Sequence, residues 1–180
     1  MQFKLATLAT LLAVASAAPA KRQDNACASN AVATLNTLTQ EVQTVQNTAS
    51  GITLVNVFTS VPTVIRALAD NINTLQSGAG LPCEAELSAE EQQRICDAAS
   101  AFVTADTALI RTLTSQNSVG VVSNTPFAAP LGAVGRELER ATDTFVLPII
   151  DATPTCGASV NQLVQTLDTE LAQLVDTYQS

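Results

Sequence analysis

The chain has no histidine and no tryptophan, and its aromatic share is 3%. Without histidine there is no imidazole base, no Ser-His or Cys-His dyad and no imidazole metal ligand. Lysine occurs only at Lys4 and Lys21, and basic residues total 8 against 16 acidic ones. So acidic a chain lacks the basic footprint that nucleic acid or an anionic membrane requires. Also missing are Gly-x-Ser-x-Gly, a phosphate-binding glycine loop, Asp-Thr-Gly or Asp-Ser-Gly, and Cys-x-x-Cys. No Asn-x-Ser/Thr acceptor occurs, because Asn124-Thr125-Pro126 places proline at the decisive position. The C-terminal Leu174–Ser180 is polar and gives no support to a GPI anchor. These absences point away from catalysis and from any cofactor.

What is present starts at the N-terminus. Met1–Arg22 reads MQFKLATLATLLAVASAAPAKR, with a basic Lys4, an apolar Leu5–Val14 run and small residues at Ala15-Ser16-Ala17. That is the layout of a secretory signal, too short to remain as a membrane span. Lys21-Arg22 is the only dibasic pair in the chain. It marks a processing site, so residues 1–22 read as signal plus pro-segment and 23–180 as one domain beginning at Gln23. Removing the leader takes three basic residues and leaves five against sixteen acidic ones, a net charge of −11. The remainder is long enough for one core.

Four cysteines, Cys27, Cys83, Cys96 and Cys156, follow the leader. An even count in an oxidising compartment implies two disulfides with three possible connectivities, and the missing histidine weakens a zinc reading.

Apolar residues recur at alternating three and four spacing in five segments, and none alternates with period two. The first segment, about 28–49, shows Val32, Leu35, Leu38, Val42 and Val45, and Gly51 ends it. The second, about 52–76, carries Pro62, where a kink or a restart capped by Ser60 is expected. Gly78 and Gly80 close it. The third opens with a capping box, Ser88 to Glu91, and continues through Ile95, Ala98, Phe102, Ala105, Leu109 and Leu113. The fourth covers about 130–146, with Pro148 as its stop. The fifth starts near Thr153-Pro154. The fold expected is an all-α, up-and-down bundle of about five helices with two disulfides. In that layout Cys27 and Cys156 lie near the starts of odd-numbered helices and Cys83 lies close to Cys96. The expected pairs are therefore Cys27–Cys156 and Cys83–Cys96.

Two acidic groups read as helix surface. Glu84, Glu86, Glu90, Glu91 and Asp97 favour a helix N-terminus. Glu137, Glu139 and Asp143 with Arg136 and Arg140 read as a solvated face with local ion pairs. The apolar connection Ser118–Leu131, with Val119, Val121, Val122 and Phe127, and the run Phe145–Ile150 either fold over the core or form a binding surface.

A leader, a single Ala/Thr/Val/Leu-rich helical domain, scarce aromatics, no histidine and strong acidity together resemble the fungal hydrophobic surface-binding protein and cell-wall galactomannoprotein family. Ser29–Thr48 (SNAVATLNTLTQEVQTVQNT) is similar to that family's opening helix, and Ala108–Thr114 (ALIRTLT) to a middle one. The resemblance covers roughly 29–179 and rests on pattern and composition. It implies a secreted or cell-wall, non-catalytic protein that binds hydrophobic surfaces or fatty-acid-like lipids. Cell-wall polysaccharide or a secreted hydrolase would be further partners. The competing expectation is a secreted helical effector or enzyme inhibitor acting on a protein. For the lipid or surface reading, the binding residues expected are Phe58, Phe102, Leu109, Phe127, Leu131 and Phe145.

Overall fold

In the computed structural model, residues 26–78, 83, 86–118 and 121–179 are described. The leader, Lys21, Arg22, Glu84 and Val119 lie outside them. Five helices follow one another: α1 (Ala26–Ser50), α2 (Val57–Ser77), α3 (Ala89–Ser118), α4 (Ala128–Ala152) and α5 (Gly157–Gln179). There is no strand among the described residues.

Most of each expected stripe is buried, with Val32 on α1 and Ile65 on α2 only partly so and Phe58 on α2 exposed. On α1 the buried positions are Ala28, Ala31, Leu35, Leu38, Val42, Val45 and Ala49, which lie on one face at steps of three and four. The capping box forms as read. The Glu91 amide donates to Ser88 Oγ at 3.3 Å, and the Ser88 amide donates back to Glu91 Oε2 at 2.7 Å. Two otherwise orphaned amides are satisfied reciprocally at the start of the longest helix.

Neither proline ends its helix. α2 runs from Val57 through Pro62 to Ser77 without a restart at Ser60. α4 continues through Pro148 to Ala152 rather than stopping there. Proline removes one amide, so the Phe58 and Thr144 carbonyls each lose their usual intrahelical donor, while tertiary packing on either side holds the helix. Thr153-Pro154 does not start α5. It forms a turn in which the Cys156 and Gly157 amides both donate to the Thr153 carbonyl, and α5 begins at Gly157.

The helices alternate in direction and pack as two layers. α3 lies between α1 and α5, while α2 lies beside α4; α1 meets α2, α5 meets α4, and α3 touches α4 across the layers. α1 makes no contact with α5 among the described residues. That arrangement decides the disulfides. The bonds are Cys27–Cys83, with Cα atoms 5.8 Å apart, and Cys96–Cys156, at 6.2 Å. The expected Cys27–Cys156 and Cys83–Cys96 pairs are both wrong. Cys27 starts α1, which packs on α3 and not on α5, so the entry to α3 is what it can reach. Cys96 is buried on α3, which packs on α5, whose start carries Cys156.

Candidate functional site

The six expected binding residues divide into two groups. Phe102, Leu109, Leu131 and Phe145 are buried and belong to the core. Helix spacing identified them as apolar, but apolar spacing marks the packed face first. Phe58 and Phe127 are brought together. Their rings meet edge to face with centroids 5.9 Å apart, at the starts of α2 and α4. Phe58 remains 64% exposed, and Phe127 is half-buried. The apolar connection is mostly a satellite of the core, with Val121 and Val122 buried. Phe145, Val146 and Ile149 likewise pack inward, while Leu147 faces out.

The sequence reading missed two exposed residues beside this pair. Leu54 is 72% and Val55 96% exposed. They sit in the α1–α2 turn, not on a helix. Asn56 fixes that turn. Its Oδ1 accepts from the Thr53 amide at 2.7 Å and its Nδ2 donates to the Gly51 carbonyl at 2.9 Å. The α3–α4 connection is pinned in a similar way, with Thr125 Oγ1 donating to the Val122 carbonyl at 2.7 Å and accepting from the Phe127 amide at 3.3 Å. The apolar side chains are thus held outward on short, braced loops.

The charge pattern isolates the same end of the molecule. There is no charged residue between Glu41 and Arg66, nor between Arg111 and Arg136. Those two tracts are the arms and loops of the α1–α2 and α3–α4 hairpins. Ionised groups elsewhere give the molecule its acidity, and this end carries Leu54, Val55, Phe58 and Phe127 instead. Clustered apolar exposure of this kind marks a contact surface.

The opposite end of the α2–α4 pair has a narrow slot of about 110 Å³, lined by Ala31, Leu75, Phe145, Pro148 and Ile149 with Gln76, Gly78 and Thr144. A Cβ added to Gly78 would stand 2.9 Å from the Phe145 ring, so this glycine lets the ring close over the slot. The slot is smaller than the roughly 300–1,000 Å³ of an ordinary small-molecule pocket.

Polar groups offer no assembled chemistry. Among the described residues no three His, Cys, Asp or Glu side chains come close enough to hold a metal ion. Glu91 of the first acidic group is spent on the capping box. The second group is less solvated than expected. Burial raises the Asp143 carboxyl above its usual range. Asp168 on α5 is pushed to about 6, first by burial and then by the negative charges of Asp143 and Glu139. Arg140 meets Glu137 only at 4.0 Å, on the surface. Between α3 and α5, Arg111 Nε donates to Glu170 Oε1 at 2.8 Å, and Tyr178 donates to the Leu113 carbonyl at 2.7 Å. Burial pushes that phenol to about 12. No helix among the described residues is long and apolar enough to cross a membrane.

No protein-family model and no curated protein sequence matches the chain. Among solved structures it is similar to the crystal structure of AfMp4p in complex with palmitic acid, with a TM-score of 0.65 and 11% sequence identity. The match covers 84% of this chain and 99% of that one. At that identity the likeness is one of fold.

Proposed function

We propose that this is a secreted, non-catalytic protein that binds hydrophobic surfaces and fatty-acid-like lipids, at or near a cell wall. The uncharged end bearing Leu54, Val55, Phe58 and Phe127 carries the reading. Placing such an end against an apolar phase removes hydrocarbon from water and strips no ion of its hydration. The acidic remainder keeps the other faces solvated. A shared fold with a protein that holds palmitic acid supports the lipid side of the proposal.

Each fully covered Leu, Val or Phe side chain contributes roughly 1.5–3 kcal/mol. Replacing Leu54 and Phe58 together by serine should therefore weaken adsorption to polystyrene or to a decane–water interface by about a hundredfold, at ~1.4 kcal/mol per decade. Far-UV helicity should stay unchanged, because both residues are exposed. Leu147→Ser, on the side of α4, serves as the control and should leave adsorption intact. High salt should not release the protein, because no ion pair is involved. Unchanged adsorption in the double variant overturns the proposal.

A further inference from the structure

The interior holds polar groups that the surface reading does not use. Asp106 on α3 is 0% exposed, and neither of its carboxyl oxygens has a hydrogen-bond partner among the described residues. It stands one turn from Phe102 and one turn from Ile110, in the buried stripe of the central helix. Thr142 on α4 and Asn71 on α2 are also buried, and Thr142 Oγ1 and Asn71 Nδ2 also lack partners. α3 thus contributes two unsatisfied polar atoms to the interior and α2 and α4 one each, and α3 and α4 touch across the layers.

Buried polar groups in folded proteins are paired almost without exception, because an unpaired one forfeits its hydration with nothing in return. A carboxyl is the costliest of the three. Burial raises Asp106 to about 7. In mildly acidic surroundings it is therefore a neutral acid, with one O–H to donate and a carbonyl oxygen to accept. A partner that supplies both a donor and an acceptor completes it, and a second negative charge beside it does not.

We infer that Asp106 is the head-group contact for a single-chain amphiphile lying between the α1–α3–α5 layer and the α2–α4 pair. The head is neutral and donates a hydrogen bond: a protonated carboxylic acid or a primary alcohol. The hydrocarbon chain is held by the surrounding Leu, Val, Ile and Phe side chains without direction. The assignment rests on the lipid-binding reading above and adds the class of head group.

Three probes of equal chain length separate the possibilities: palmitic acid, hexadecan-1-ol and hexadecane, measured at pH 5 by displacement of a fluorescent fatty-acid probe. Asp106→Leu should lower affinity for the acid and the alcohol by about tenfold, with hexadecane changed less than about twofold. Asp106→Asn keeps a donor and an acceptor and should retain the alcohol within about threefold. Circular dichroism on both variants confirms that the helices persist. Equal affinities of wild type and Asp106→Leu for all three probes overturn the head-group assignment while leaving lipid binding in place. A wild-type protein that takes up none of the three overturns the lipid reading itself, and the assignment with it.

Discussion

Replacing Asp106 by asparagine should remove a large share of the dependence of stability on pH between about 4 and 8. In the folded chain this carboxyl titrates near 7, whereas its unperturbed value is 3.8. Below the unfolded value both states hold the proton, and the folded state keeps its full stability. As pH rises from there, the unfolded chain ionises and the folded chain resists, so stability is lost until the folded pKa is passed. A difference of about three units corresponds to a loss on the order of 4 kcal/mol across that window. This is a large part of the 5–15 kcal/mol typical of a domain. Asp143 and Asp168 are raised as well and add a slope of the same sign. The informative quantity is therefore the difference between wild type and Asp106→Asn. Urea unfolding followed by far-UV circular dichroism at pH 4 and pH 8 measures it. The variant should resemble wild type at pH 4 and exceed it by several kcal/mol at pH 8. Equal pH slopes in the two proteins would show that the carboxyl is solvated or paired in solution, and would refute the reasoning.

Three further outcomes test the frame. Peptide mapping under non-reducing conditions should recover Cys27 joined to Cys83 and Cys96 joined to Cys156. Replacing Cys96 and Cys156 by alanine should cost about 4 kcal/mol, from the 60-residue separation that the bridge closes; a Cys83–Cys96 peptide would contradict the layer order. Gly157→Ala should destabilise by about 1–3 kcal/mol, because its Cβ would stand 2.5 Å from the Ile150 carbonyl oxygen. A thermal melt unchanged from wild type would show that the α4–α5 turn yields more readily than its geometry implies.

The helices were legible because burial follows the same three-and-four rhythm as the residues. Ser88 and Glu91 fixed one boundary for a local reason that needs no tertiary knowledge. Pro148 misled because a single proline forfeits one hydrogen bond, and the packing of Phe145, Val146 and Ile149 outweighs that loss. Cysteine pairing failed because periodicity says which face of α1 is buried, not which helix covers it. In the site, Phe102, Leu109, Leu131 and Phe145 were chosen for size and apolarity, which are also the properties of a core. Leu54 and Val55 were taken into a helical segment, although Asn56 ties that stretch into a turn. One sequence signal does mark the exposed end: the two tracts without charge, 42–65 and 112–135. Another marks the buried carboxyl. Asp106 falls on the spacing of Phe102, Leu109 and Leu113, where an acidic residue is out of place.

Both bridges fasten helices of one layer. Cys27–Cys83 links α1 to the entry of α3, and Cys96–Cys156 links α3 to the entry of α5. α2 and α4 have no covalent link of their own beyond the chain, each contains a proline, and their starts meet through the Phe58 and Phe127 rings. Local opening should therefore be unequal across the molecule, with amide protons of α1, α3 and α5 exchanging only in deeper fluctuations than those of α2 and α4. On the lipid-binding reading proposed above, a long-chain guest would need no permanent doorway: it would enter when the unfastened pair lifts from the fastened three, at a rate set by how often that happens.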